Sequence, residues 1–153
     1  MAQDARVVDG RTGMAQRWCA LQVLHDRIDT HIERSLQPLH GLSVREYSLL
    51  EVLSRQHNGI GGHLQMKEVA HAVGLSQSAT TRLVSRLEGR GLLSRFICAT
   101  DRRGIYTEIT GEGSALLDLA RPTSEAALHE VLDALEGDPE LRAFVRVLRE
   151  EVG

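Results

Sequence analysis

The sequence predicts a mainly α protein with one small β-hairpin, an α+β chain in which a short-helix lobe sits between longer terminal helices. Three patterns carry that prediction. Near both ends, apolar residues recur at three- and four-residue steps, as one face of a helix requires. In the middle, two short helical patterns meet at Gly74, the second opened by Ser76. Directly after them, "LSRFICA" and "IYTEIT" read as two strands joined by a polar stretch that ends in Gly104.

A length of 153 residues suits one domain and is enough to bury a core without staples. Aromatics make up only 3% of the chain, so Leu, Val, Ala and Ile must build that core. No run approaches the roughly 20 apolar residues of a membrane span. The opening "MAQDARVVDGRTG" has acids and no apolar stretch, so it is expected to be a loose tail over 1–13 and not a secretory leader. Cys19 and Cys98 stand far apart at no metal-ligand spacing, which fits two reduced thiols in a cytoplasmic protein.

The first helix is expected over 14–39, with Trp18, Leu21, Leu24, Ile28, Ile32, Leu36 and Leu39 in one stripe. Pro38 and the following "HGLS" are expected to end it. Ser43, with Glu46 three residues on, makes a capping box for a second helix carrying Tyr47, Leu49, Leu50, Val52 and Leu53. "RQHNGIGGH" is a glycine-rich loop. A short helix from about Gln65 stops at Gly74, and Ser76 caps the next one, expected over 77–89. Val69, Val73, Leu75, Ala79, Leu83, Val84 and Leu87 should face inward between the two.

The outward face of the second of these helices is expected to carry Gln77, Ser78, Thr80, Thr81, Arg82, Ser85 and Arg86. These are hydroxyls, an amide and guanidinium groups, with no large apolar side chain. A helix face that meets only water more often interleaves Glu and Lys. In the DNA major groove Gln and Arg read base edges while Ser and Thr hold phosphates. Ser76, Gln77, Ser78, Thr80, Thr81, Arg82 and Arg86 are therefore candidate DNA-binding residues. Charge agrees: the net charge of the chain is −3, yet residues 76–104 carry +4 and leave −7 for the remainder. A basic segment on an acidic body is the footprint of a local anion-binding surface.

The hairpin tip extends this face. Asp101, Arg102 and Arg103 precede Gly104, where a bare turn would need only the Gly and an Asp. A hairpin directly after a recognition helix is a wing, and its tip lies beside the groove that the helix enters. An Arg there can enter the narrow, electronegative minor groove while Asp101 orients a guanidinium by a paired hydrogen bond. The predicted architecture is thus a winged helix–turn–helix.

After it, Thr110 is expected to cap a helix with Leu116, Leu117, Leu119 and Ala120, kinked or restarted at Pro122. Asp138 is expected to cap a last helix with Pro139 at its first position and Leu141, Phe144, Val145, Leu148 and Val152 along it. The terminal helices have apolar stripes but little core of their own to cover, so they should pair with a second copy. Two-fold dimers also read paired half-sites. The expected division is a tail over 1–13, a dimerisation helix over 14–42, a DNA-binding lobe over 43–112 and helices completing the dimerisation region over 113–153.

Enzyme chemistry lacks its parts: there is no Gly-rich phosphate loop, nucleophile elbow or carboxylate pair in a motif. The seven histidines form no metal-binding pair, so neither a metal site nor a cofactor is expected. A winged helix used only for protein contact is the alternative, and it would show an apolar recognition face.

The stretch "MKEVAHAVGLSQSATTRLVSRLEGRGLLSRFICATDRRGIYTEITGEGSALL" resembles the winged helix–turn–helix core of the MarR family of bacterial transcriptional regulators. The GLS turn, "TRLVSRLEGRGLL", and DRR five residues before "EIT" carry the likeness. Gln65, where the family often has Thr or Ser, is a departure. The resemblance implies a homodimer with interlocking terminal helices, bound to pseudo-palindromic operator DNA as a repressor. It implies that Asp101 and Arg103 are the orienting acid and groove-inserting Arg of the wing, with Arg102 beside them. It also implies a crevice for a small phenolic or other anionic effector, lined by Trp18, Leu21, His25 and Tyr47. Some branches sense oxidants through a Cys near the start of the first helix, and Cys19 lies there.

Overall fold

The computed structural model describes residues 10–56, 64–97 and 104–150. Its elements follow in the order α1 (Gly10–His40), α2 (Val44–Gln56), α3 (Met66–Val73), α4 (Gln77–Gly89), β1 (Leu93–Ile97), β2 (Ile105–Ile109), α5 (Gly111–Leu135) and α6 (Arg142–Arg149). This is the predicted mainly α architecture with one antiparallel hairpin. No described helix is long and apolar enough to cross a membrane.

The helix ends follow their local chemistry, with three departures from expectation. The first is α1, which begins at Gly10, inside the expected tail, and runs through Pro38 to His40. Pro38 removes one hydrogen bond from the last turn, which α1 tolerates. The helix stops at Gly41 instead, whose φ of 62° suits glycine and whose N–H donates to the Gln37 carbonyl at 2.9 Å. The predicted capping box of α2 is formed: the Ser43 N–H donates to Glu46 Oε2 at 2.9 Å, and the Glu46 N–H donates to Ser43 Oγ at 3.1 Å.

Second, Pro122 restarts nothing: α5 is continuous from Gly111 to Leu135. Leu117 and Ala120 are buried ahead of it and Ser124 behind it, and His40 Nε2 lies 2.7 Å from Thr123 Oγ1. Those contacts outweigh one absent backbone bond. Third, the last helix opens at Arg142, not at Pro139. Asp138 Oδ1 takes the N–H of Glu140 at 2.9 Å, closing a turn on itself, so the helix starts later.

The chain divides into two compact units. One holds the described residues up to Ile32 and those from Ala126 onward; the other is Glu33–Glu125. The division falls inside α1 and α5, not at their ends. In the first unit Ala20, Leu24, Val131, Leu132, Leu135, Leu141 and Val145 form a core, with Ile28, Leu128 and Phe144 packed against it. Met14, Trp18, Leu21, Val23, Val147 and Leu148 of this unit are exposed.

In the second unit α3 packs on α2 and α4, and α4 packs on β1. Leu49, Leu50, Leu53, Val69, Val84, Leu87 and Leu93 are buried there. The hairpin register sets Leu93 opposite Ile109, Arg95 opposite Thr107 and Ile97 opposite Ile105. The expected shared face of Ile105, Thr107 and Ile109 holds for the last two, which are buried; Ile105, at the distal end, is exposed. Thr110 caps α5 as predicted, its Oγ1 accepting the Gly113 N–H at 3.0 Å. Gly113 itself lies so close to the start of β1 that an added Cβ would stand 2.0 Å from the Leu92 carbonyl oxygen.

Candidate nucleic-acid interface

The helix–turn–helix is built by α3, a tight turn and α4. Glu68 Oε2 accepts the N–H of Gln65 at 2.7 Å and so satisfies the opening of α3. Gln65, the departure from the expected Thr or Ser, has its own use: its Nε2 donates to Tyr106 Oη at 3.2 Å, joining α3 to β2. At the other end Gly74 adopts φ 67°, and the Leu75 N–H reaches the Ala70 carbonyl at 3.1 Å. Ser76 then caps α4, its Oγ accepting the Ala79 N–H at 3.2 Å.

Along α4, Ser76, Gln77, Ser78, Thr81, Arg82, Ser85 and Arg86 are exposed, and the face they form has no large apolar side chain. Thr80 corrects the sequence reading. It is fully buried, and its hydroxyl donates to the Ser76 carbonyl at 2.8 Å. Helical spacing explains this: Thr80 precedes Leu83, Val84 and Leu87 by three, four and seven residues and belongs to their stripe. Thr80 therefore faces the core and leaves the outward set.

Beside this face is a cleft of about 280 Å³ lined by Gln65, Met66, Lys67, Gln77, Thr81 and Ile105. The wing rises on its far side, with Phe96 and Tyr106 stacked at 5.9 Å between ring centres. Arg95 on β1 pairs with Glu88 on α4 at 2.8 Å, and its backbone N–H also donates to that carboxylate at 3.0 Å. Asp101, Arg102 and Arg103 lie outside the described residues, as does Cys98.

The polar residues behind the helix were less legible. Glu46, known from the sequence only as half of a capping box, is 3% exposed and lies 3.6 Å from Arg86 and 3.4 Å from Arg90. Arg90 also donates to the Gly41 carbonyl at 2.9 Å. Next to Glu46 in α2, Tyr47 Oη donates to Glu51 Oε1, one turn on, at 2.9 Å, and Arg121 of α5 donates to the same oxygen at 2.8 Å. Burial, then the hydrogen bond to Glu51 and the charge of Glu51, pushes the Tyr47 phenol up to about 12. Burial alone would raise the Glu51 carboxyl, but the hydrogen bonds from Arg121 and Tyr47 outweigh it and hold the group below the ordinary carboxylate range. No local motif announces Arg121, which is 70 residues from Glu51.

Of the other expected effector-site residues, Trp18, Leu21 and His25 are exposed on α1 in the first unit, while Tyr47 belongs to the second. Cys19 is an exposed free thiol in a groove of about 410 Å³ shared with Arg27, Asp138 and Leu141. Among the described residues no three His, Cys, Asp or Glu side chains gather as a metal site would need.

Fold and exposed face together define a winged helix–turn–helix protein. The profile of the MarR family matches residues 40–104. A MarR-family transcriptional regulator from Rhodococcus sp. RHA1 is 30% identical and superposes at a TM-score of 0.67 over 84% of each chain. CouR from Rhodococcus jostii RHA1, solved with p-coumaroyl-CoA bound, is 31% identical at a TM-score of 0.65, covering 84% of this chain and 83% of its own. The regulator MhqR of Bacillus subtilis strain 168 is 28% identical over 116 residues, 76% of this chain and 73% of MhqR. The chain belongs to the MarR family of transcriptional regulators.

Proposed function

We propose that this protein is a sequence-specific DNA-binding regulator that acts in the cytoplasm as a homodimer and represses by covering a promoter. The observation that carries the reading is the outward face of α4, where Gln77, Ser78, Thr81, Arg82 and Arg86 are exposed together with no large apolar side chain of that helix among them. Such a face suits a wet, polar, phosphate-rich groove. A protein-contact module would need apolar anchors there. In this reading Asp101, Arg102 and Arg103 of the wing tip engage the adjacent minor groove, residues 43–112 form the DNA-binding lobe, and 14–42 with 113–153 form the dimer. Support for the dimer comes from Met14, Trp18, Leu21, Val147 and Leu148, exposed apolar side chains on the terminal helices.

The effector in this reading is a small phenolic or other anionic compound that prefers a state unable to span successive grooves, lowering DNA affinity by its ratio of affinities for the two states. CouR, a relative bound to the phenolic thioester p-coumaroyl-CoA, supports that chemical class. A second reading rests on the exposure of Cys19 in a groove that Arg27 also lines: oxidation of that thiol would set DNA affinity. DNA affinity that is the same before and after hydroperoxide treatment removes it.

The test of the main reading is fluorescence anisotropy with DNA from the gene's own upstream region, against a scrambled duplex, at several salt concentrations. Tight, salt-dependent and selective binding is expected. Equal, weak binding to both duplexes across a tiled upstream region overturns the reading, and a monomer in sedimentation at micromolar concentration overturns the dimer.

A further inference from the structure

We propose that Glu46 is a positioning residue for DNA recognition, one that holds Arg86 in a single geometry on α4. The proposal rests on the DNA-binding reading above and adds a residue that touches no DNA.

A capping acid needs only one oxygen, and it normally lies at the surface. Glu46 caps with Oε2, yet its side chain is only 4% exposed, so water does not balance its charge. A buried carboxylate requires counter-charges and hydrogen bonds in the protein. Two arginines one turn apart, Arg86 in α4 and Arg90 just after it, supply the charge, Arg86 Nη1 at 3.6 Å from Oε1 and Arg90 Nη1 at 3.4 Å from Oε2. The two differ in what remains free. Arg90 also bonds the Gly41 carbonyl and is thereby anchored to the turn between α1 and α2. The Arg86 side chain is 61% exposed: Nη1 faces Glu46, and the residue belongs to the exposed, candidate DNA-binding face of α4.

This is a means of preorganisation. A free arginine loses much rotamer freedom when it engages a base or phosphate, and tethering one nitrogen beforehand removes part of that loss. The tether also resists use of Arg86 at other angles, so it favours the matched site over arbitrary DNA. Removing the charge of Glu46 should therefore have opposite effects. Binding to matched DNA weakens because Arg86 is no longer placed, while binding to scrambled DNA strengthens because a negative charge has gone. A role confined to capping or stability would not move the two in opposite directions.

The experiment uses the full chain, its upstream DNA and a scrambled duplex, with Glu46→Gln, Arg86→Gln and the double variant compared by anisotropy. Gln keeps the shape and one acceptor for the Ser43 N–H. Glu46→Gln is expected to bind matched DNA about tenfold more weakly and scrambled DNA more tightly. The double variant should bind no more weakly than Arg86→Gln alone, a coupling of about tenfold, or about 1.4 kcal/mol. Unchanged matched-site affinity in Glu46→Gln, or losses that simply add, would overturn the proposal. If Glu46→Gln does not melt cooperatively, Glu46→Asp decides: it keeps the charge, but a side chain one methylene shorter draws the carboxylate away from Arg86. An about tenfold loss on matched DNA upholds the proposal, and no loss overturns it. Absence of selectivity in the wild type would instead refute the DNA reading, so the two failures are told apart.

Discussion

Arg95 reaches back from β1 to grip Glu88 in the last turn of α4, its Nη2 donating to Oε1 at 2.8 Å and its backbone N–H to Oε2 at 3.0 Å. Helix and wing are thereby fixed to each other through one carboxylate. The hydrogen bonds from Arg95, side chain first and backbone second, hold the Glu88 carboxyl below its ordinary value of 4.5. A depressed folded value contributes stability that is complete above that pH and lost as pH falls through the folded value. Both partners are about a third exposed, so the pair is worth about 0.5–1 kcal/mol. Glu88→Gln should lower the melting temperature at about pH 7, and the difference from wild type should shrink towards about pH 3. A difference that does not change with pH would contradict this.

Tyr47 gives a prediction at the other end of the pH scale. Its phenol is raised to about 12, so its contribution to stability is full below the ordinary value of 10.0 and is lost as pH rises from there through 12. The chain has two tyrosines, which an ultraviolet titration can separate by comparing wild type with Tyr47→Phe. The late-titrating phenol should vanish in that variant. In Glu51→Gln it should move down, because the acceptor and its charge are gone while burial remains.

Thr80 and Thr81 are neighbours with opposite fates, and DNA binding should separate them. Thr80 is buried with its hydroxyl on the Ser76 carbonyl; Thr81 is exposed beside the cleft. Thr80→Val should cost about 1 kcal/mol of stability or less and leave operator affinity within about twofold. Thr81→Val should leave stability alone and weaken operator binding by about 1 kcal/mol. The reverse pattern in paired melts and titrations would restore Thr80 to the DNA-facing set.

The same pair of residues marks how far the sequence could be read. Where one residue decides an outcome locally, reading succeeded: Ser43 with Glu46, Gly74, Ser76 and Thr110 set their helix ends where predicted. Thr80 has the polarity of an outward residue but the spacing of an inward one, four residues before Val84 and seven before Leu87, and the spacing decides. Pro38 is a local signal for a helix end and Pro122 for a kink or restart, yet the burial of Leu36, Leu117 and Ala120 around them keeps each helix continuous. Glu46 with Arg86 and Arg90, and Glu51 with Arg121, depend on chain segments brought together only by packing. No local pattern encodes them.

Gly113 is another such case. An added Cβ would meet the Leu92 carbonyl oxygen at 2.0 Å and Ile109 Cγ1 at 2.8 Å, and the carbonyl is backbone that cannot step aside. Gly113→Ala should destabilise by about 3 kcal/mol or more. At Gly111, two residues earlier, nothing lies within 4 Å, so Gly111→Ala should be neutral or stabilising by about 0.5 kcal/mol. Denaturant titration of the two variants checks both, and equal stabilities would show that the junction of β1 and α5 yields more easily than its geometry implies.

Arg103 carries the last prediction, and it separates the wing from the recognition helix. An Arg that enters the minor groove responds to the groove's width and to its negative potential, not to an individual base edge. Arg103→Ala should therefore weaken operator and scrambled DNA alike, and the slope of log affinity against log salt should become shallower by about one. Arg82→Ala, on the exposed face of α4, should instead weaken the operator more than scrambled DNA if Arg82 reads a base, since that contact carries about 1–3 kcal/mol of discrimination. The two slopes and two affinity ratios distinguish the arms of the interface. An unchanged salt slope in Arg103→Ala would remove that residue from the DNA contact, and a uniform loss in Arg82→Ala would move Arg82 from base reading to phosphate binding.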